Sequence, residues 1–117
     1  MFPFCPSWFS APFPPKRVLT MHTGSLRVRL FVRDSRSLKD KRQVVKSIID
    51  RLRNGFNVAI AEVAEKEHHQ TIVLGIATVG DESQYVKTTL EQVANALRGH
   101  PAAQFCECEM AVEAALV

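Results

Sequence analysis

Strict alternation of apolar and polar positions predicts a β-strand over Ser25–Asp34. One side of this segment carries Leu26, Val28, Leu30 and Val32. The other side carries Arg27, Arg29, Phe31 and Arg33. Because successive side chains of a strand point to opposite faces, this strand has one buried face and one open face.

The next segment, Ser35–Phe56, changes to a period of about 3.6 residues and predicts an amphipathic helix. Its apolar stripe consists of Leu38, Val45, Ile48, Ile49 and Leu52. Ser37 and Asp40 resemble a capping box with aspartate in place of glutamate, and Gly55 suits the left-handed residue that often follows a helix. Both ends of the helix are therefore marked.

A β-hairpin is predicted for the middle of the chain, where the strand-like segments Asn57–Glu65 and Thr71–Val79 flank the polar connection Lys66–Gln70. The inward face of the first strand is either Val58 with Ile60, or Ala59 and Ala61 with Val63. The second strand is apolar on both faces, as expected of a central strand, and its Gly75 permits close approach of another backbone.

The last third of the chain predicts a helix and then a strand. The helix, Asp81–Arg98, has Asp81 and Gln84 as a capping box, and its buried stripe is Val86, Leu90, Val93 and Leu97. Gly99 and Pro101 end it. The strand, Gln104–Ala114, carries Cys106, Cys108, Met110 and Val112 on one face and Phe105, Glu107, Glu109 and Glu113 on the other.

The resulting order, β-α-β-β-α-β, predicts a ferredoxin-like α+β sandwich with two helices on one face of a four-stranded antiparallel sheet. The first and third strands are expected to be central, with the last strand beside the first. We expect residues 21–117 to form this single domain. We expect residues 1–20 to be a poorly ordered Pro/Phe-rich extension, since they contain five of the six prolines, with Met21 as an alternative start of the protein. A partner-binding proline-rich segment is the alternative interpretation.

Charge is unevenly distributed along the chain. Residues 27–53 contain ten lysines and arginines against three acidic residues, whereas residues 54–117 contain three against nine. The three cysteines show no disulfide framework and no run is long enough to span a membrane, so we expect a soluble cytoplasmic protein.

A family resemblance extends from Met21 to about Val112 and lies in Ser37, Leu38, Lys39, Asp40, Lys41, Arg42, Asn57, Val58, Ala61, Glu62, Gly75 and Val79. At these positions the chain resembles the YlxP-like family of small bacterial proteins, a domain of unknown function with a ferredoxin-like fold. The resemblance implies a cytoplasmic protein that acts near RNA and ribosome assembly. The chain departs from the family at His68, His69 and Gln70, where relatives tend to carry a tryptophan, and at Gly55, where a basic residue is common.

Four positive residues of the first helix, Lys39, Arg42, Lys46 and Arg53, fall within an arc of about 60°. We call these four residues the basic ridge. Together with Arg36 and Lys41 they are the predicted phosphate contacts, and the free N–H groups at the helix start would add to an anion site. The alternative is a solvated helix face on which Lys41, on the apolar side, extends its ammonium over the edge of the core.

A second predicted surface is the open sheet face, with Arg27, Arg29, Phe31 and Arg33. These residues suit RNA contact, but glutamates of the last strand project to the same side, so an arginine–glutamate ladder or a dimer surface is favoured there. The predicted function is a non-enzymatic RNA- or ribosome-associated factor, and the alternative is a homo-oligomeric interaction module that uses this face.

Other chemistry has little support in the sequence. Cys106 and Cys108 are predicted to be buried, and His68 and His69 to be loop surface without metal-ligand spacing. We expect no cofactor and no metal, and no nucleophile, base and orienting group are suggested together.

Overall fold

The computed structural model describes residues 20–116 of the chain. Its elements are β1 (Thr20–Phe31), α1 (Leu38–Gly55), β2 (Ala59–Ala64), β3 (Thr71–Gly80), α2 (Ser83–Arg98) and β4 (Gln104–Leu116). The strands form one antiparallel sheet in the order β2-β3-β1-β4. The fold is therefore the ferredoxin-like arrangement that the sequence predicts. The predicted extension lies outside the described residues except for Thr20, which already belongs to β1.

One face of the sheet packs with both helices into a single core. Its buried side chains include Leu26, Val28, Leu30, Ile60, Ile72, Leu74, Ile76, Val45, Ile48, Leu52, Val86, Leu90, Val93 and Leu97. The apolar stripe predicted for the second helix is thus confirmed. In the first helix it is confirmed for Val45, Ile48 and Leu52, whereas Ile49 is half-buried against the core and Leu38 is half-buried outside it. Ile60 is buried and Val58 packs against the core, whereas Ala59, Ala61 and Val63 are exposed, which settles the inward face of β2.

The predicted ends of the helices are only partly confirmed. Ser37 Oγ accepts a hydrogen bond from the Asp40 N–H, and Asp40 Oδ2 accepts one from the Arg36 N–H, both at 3.2 Å. The prediction for Gly55 is wrong, because Gly55 is the last helical residue and the chain leaves through extended backbone at Phe56. The predicted capping box of α2 is also wrong, since Glu82 is the N-cap and makes no side-chain capping bond.

A β-bulge in β4 changes which side chains face the core. The pairing with β1 shifts between Arg29, opposite Glu107, and Leu30, opposite Phe105, so that Cys106 is the extra residue. Phe105 therefore packs against the core and Cys106 is exposed, the reverse of the prediction. One inserted residue inverts the alternation on one side of it, and sequence periodicity does not reveal where such an insertion falls.

Two glycines admit close packing of side chains. A Cβ atom at Gly24 would lie 2.7 Å from Leu90 Cδ1 and would also clash with Val86, so α2 can approach β1 only because position 24 has no side chain. A Cβ atom at Gly75 would lie 2.8 Å from Val63 Cγ1. The close approach predicted at Gly75 is therefore made by a neighbouring side chain and not by a backbone.

We expect Gly24→Ala to lower the free energy of unfolding by about 1–3 kcal/mol, because the added methyl group overpacks the contact between β1 and α2. Urea denaturation measures this change. The matched control is Gly55→Ala, where a Cβ atom would meet nothing within 4 Å. Alanine in the helix there should be neutral or stabilising by about 0.5–1 kcal/mol. Equal effects of the two substitutions would contradict the packing argument.

Candidate nucleic-acid interface

The basic ridge lies on the outer side of α1, and its four residues are exposed. Arg36, immediately before the helix, is exposed as well. Within residues 20–116, no carboxylate lies at ion-pair distance from Arg36, Lys39, Arg42 or Lys46. These four side chains therefore have no ion-pair partner in the part of the chain that the structure describes.

The glutamates of the last strand lie at the opposite edge of the sheet from α1. Helix α1 packs alongside β2, whereas the glutamates of the last strand lie on β4, three strand spacings or about 14 Å across the sheet. Two of these glutamates also have partners, since Glu109 pairs with Arg27 and Glu107 with Arg29. Within residues 20–116, the glutamates of β4 therefore do not pair with the basic ridge.

Lys41 does not face solvent. Its side chain is 0% exposed, and its Nζ lies 2.8 Å from the Glu65 carbonyl oxygen and 3.3 Å from those of Lys66 and Thr71. The prediction of a phosphate contact at Lys41 is therefore wrong, and so is the alternative in which the ammonium reaches water. The three carbonyls belong to the connection between β2 and β3 and to the first residue of β3, so Lys41 ties α1 to this hairpin.

The counterion of Lys41 is Glu62, whose Oε2 lies 2.8 Å from Nζ and whose side chain is 15% exposed. The three protons of the ammonium serve the three carbonyls, and Glu62 Oε2 has no hydrogen-bond partner among the described residues, so the carboxylate contributes as a charge. Sequence reasoning missed this pair, although a signal was present. Once Val58 and Ile60 face inward, alternation places Glu62 inward as well, and Lys41 is the basic residue on the apolar side of the helix.

Arg53 combines exposure with a structural contact. Its Nη2 donates a hydrogen bond of 3.2 Å to the carbonyl oxygen of Ile60, on the edge strand β2. This bond satisfies a backbone acceptor at the sheet edge and holds the second half of α1 beside it. Arg53 is therefore less free for a ligand than Lys39, Arg42 and Lys46.

Two backbone N–H groups of the predicted anion site at the start of α1 already have partners within the protein. The Asp40 N–H bonds to Ser37 Oγ, and the Asp40 carboxylate lies against the backbone N–H of Arg36. A carboxylate at this position uses the favourable end of the helix dipole and repels a second anion. The basic side chains are therefore better candidates for phosphate contact than the helix start.

On the open sheet face, the predicted arginine–glutamate ladder is present. Arg27 pairs with Glu109, and Arg29 Nε lies 3.5 Å from Glu107 Oε1. Phe31 is half-buried at the end of β1. Arg33 is exposed beyond the strand, and its carbonyl oxygen accepts a hydrogen bond from Gln70. The two arginines that would meet a ligand on this face thus already have partners.

Residues 23–110 match the family described as protein of unknown function (DUF503). This chain belongs to that family. It is 34% identical to the uncharacterized protein YlxP of Bacillus subtilis (strain 168) over 70 residues, which cover 60% of this chain and 76% of YlxP. It is also similar to the de novo designed protein Foldit4, with a TM-score of 0.44 and 14% identity, over 81% of this chain and 96% of that one.

In this DUF503 member, residues 37–42, which carry part of the YlxP-like resemblance, have two different roles. Ser37 and Asp40 cap the helix and Lys41 is buried under the hairpin. Lys39 and Arg42 face outward. One short run of residues therefore both anchors α1 and provides part of the exposed basic surface.

The remaining candidate groups lie away from the ridge. His68 and His69 are stacked in the exposed hairpin connection, with ring centroids 5.9 Å apart. Within residues 20–116, no group of three or more histidine, cysteine, aspartate or glutamate side chains is placed to hold a metal ion. Neither described helix is both long enough and apolar enough to cross a membrane. Burial, and then the charge of Arg51, lowers the pKa of His100, whose Nδ1 accepts the Ala102 N–H.

We expect Lys41→Met to lower the free energy of unfolding by about 3–5 kcal/mol, because it leaves the buried Oε2 atom of Glu62 without its counterion and three carbonyls without their donor. Urea denaturation followed by circular dichroism measures the loss. Lys39→Met is the matched control, since the same change at an exposed position should stay within about 0.5 kcal/mol. Adding Glu62→Gln to Lys41→Met should recover part of the loss, and similar effects of the two lysine substitutions would contradict the assignment.

The lowered pKa of His100 predicts a pH dependence of stability. The unfolded chain, with a histidine pKa of 6.5, binds this proton more readily than the folded protein, so stability is lost as the pH falls through 6.5 towards the folded pKa. His100→Gln should reduce the difference in unfolding free energy between about pH 7.5 and 5.5. The same substitution at His69, in the exposed connection, is the control. An unchanged pH profile in the His100 variant would refute the prediction.

Proposed function

We propose that this DUF503 member is a non-enzymatic RNA- or ribosome-associated protein that contacts phosphates through the basic ridge and Arg36. The observation that supports the proposal is the exposure of Lys39, Arg42 and Lys46 on one side of α1, without a carboxylate partner among residues 20–116. These side chains project from a helix that is tied to the hairpin by Lys41 and to the sheet edge by Arg53. The basic side chains therefore project from a helix whose position against the sheet is fixed.

The spacing of these charges favours a polyanion over a single small anion. From position 39 to position 46 the helix advances by about 10 Å. That distance is close to the Debye length of about 8–10 Å in physiological salt, so the potentials of the three side chains add. A nucleic acid, with a phosphate at every nucleotide, can use the whole row, whereas one isolated phosphate group uses only part of it.

The ridge is a better candidate for RNA contact than the open sheet face. Arg27 and Arg29 already pair with glutamates, and an approaching phosphate would have to compete with those carboxylates. On the ridge, no carboxylate of residues 20–116 lies at ion-pair distance to compete with a phosphate. Release of counterions from the RNA would then supply most of the binding free energy, with little dependence on base sequence.

We expect the triple substitution Lys39→Glu, Arg42→Glu and Lys46→Glu to abolish binding of a short fluorescein-labelled single-stranded RNA, measured by fluorescence anisotropy at low salt. In a version that replaces the same residues by glutamine, the slope of log affinity against log salt should become shallower by about 2 units, because three phosphate contacts are lost. Co-sedimentation with ribosomal subunits is measured in parallel, because the basic ridge would contact the phosphates of free RNA and of ribosomal RNA in the same way.

The matched control is a pair of single substitutions, Lys46→Glu on α1 and Lys87→Glu on α2. Both lysines are exposed and have no ion-pair partner in the described part of the chain. Because the same substitution is made at each, the two variants have the same net charge. Lys46→Glu should weaken RNA binding clearly more than Lys87→Glu. Equal losses would indicate a response to net charge alone, and unchanged binding in the triple variant would disprove the proposed interface.

A further inference from the structure

The open face of the sheet carries a groove of about 690 Å³ that crosses all four strands. Its floor is a row of small residues in register. Ser25 on β1 lies opposite Ala77 on β3 and Ala111 on β4, and Ala77 lies opposite Ala59 on β2. Four small side chains in one line leave a hollow where a sheet surface would ordinarily carry larger groups.

Exposed valines stand on either side of this hollow. Val79, on one side, and Val63, on the other, are each 54% exposed. Val63 is the extra residue of a bulge in β2 and leans over Gly75, the next open-face position of β3 after Ala77. A hollow between two apolar knobs is a shape that can receive the knobs of an identical surface.

The charges on this face favour one kind of binding partner over another. Arg27 and Arg29 on β1 lie directly beside Glu109 and Glu107 on β4, so positive and negative columns run next to each other. A uniformly acidic or basic partner would meet repulsion from one of the two columns. A second copy of the chain presents both signs, and so can offer glutamates to arginines and arginines to glutamates.

The size of the face is compatible with a dimer. Four strands about 4.8 Å apart, over the roughly 27 Å between Thr23 and Phe31, give a projected area of about 500 Å² per copy. Side-chain relief increases the accessible area beyond this value. The total is then near the lower limit of about 1,200 Å² for specific interfaces, which corresponds to a dimer that dissociates on dilution.

We propose that a second copy of this chain packs face to face on this groove, so that Val63 and Val79 of each copy enter the small-residue row of the other in a two-fold symmetric dimer. The basic ridge lies on the helical side of the sheet and remains exposed in such a dimer. The inference therefore stands independently of the proposed RNA contact, and each can fail without the other.

Sedimentation velocity of the full chain, from micromolar concentrations to about 0.5 mM, tests the proposal. The wild type should form dimers in a concentration-dependent manner. Ala77→Arg places a long charged side chain on the groove floor in both copies and should raise the dissociation constant by about 100-fold or more. Ala96→Arg, on the exposed side of α2, makes the same chemical change away from the groove and should leave the dimer intact.

A charge-swap series checks the interface in a second way. Arg27→Glu should weaken the dimer, and adding Glu109→Arg should restore it, because the exchanged pair is again complementary both within and between copies. Both positions are exposed on strands, and urea denaturation verifies that the variants fold. Failure of the double variant to recover dimerisation would count against the charge argument and overturn the proposed geometry.

Other outcomes overturn the dimer directly. A wild type that stays monomeric at the highest concentration would show that the chain does not dimerise. A dimer that is unaffected by Ala77→Arg would show that self-association uses another surface. Trp8 is the single tryptophan of the chain and lies in the segment before β1. If the wild type is monomeric and Ala77→Arg changes the emission of Trp8, that segment and not a second copy covers the groove. If Ala77→Arg weakens RNA binding of a monomer, the groove contacts RNA instead.

Discussion

The buried ammonium of Lys41 is the constraint on which the geometry of this protein depends. It binds three backbone carbonyls of the β2–β3 hairpin and faces the Glu62 carboxylate in a place without solvent. A charge in such surroundings is tolerated only when its partners are all in place, so the start of α1 has little freedom to rotate or shift. Because position 41 points inward, positions 39, 42 and 46 point outward, and the orientation of the basic ridge follows from a lysine that is not part of it.

The same arrangement separates the charges of the molecule into regions. Arg53 adds a second tie between α1 and the edge strand β2, so the basic helix lies at one edge of the sheet. The glutamates of β4 lie at the other edge, where those on the open face meet the arginines of β1. The outer side of α1 thus presents basic side chains without an ion-pair partner among residues 20–116, and the open side presents paired charges around an apolar hollow. These are two different kinds of surface on one small domain, and they suit two different partners.

Departures from regular patterns decide several features of the sheet. The bulge at Cys106 turns Phe105 into the core, and the bulge at Val63 raises an apolar side chain above the open face. Gly24 has no side chain at the point where Val86 and Leu90 of α2 pack on β1. Each of these is a local adjustment that lets a strand with alternating side chains pack against the neighbouring helices and strands. Such adjustments are needed because packed interiors tolerate neither voids nor overlaps.

Periodicity alone was enough to predict the fold, because the buried stripes of both helices and the alternation in β1 are long and consistent, and their order admits few topologies. It also located the basic ridge. What it left open was the inward face of β2, and it misjudged Lys41, Cys106 and Gly55. The reason is physical. A local pattern records which residues prefer burial, whereas the role of a charged, cysteine or glycine residue depends on which distant groups meet it. Only the tertiary structure brings Glu62 and the hairpin carbonyls to Lys41, and so decides which lysines remain outside.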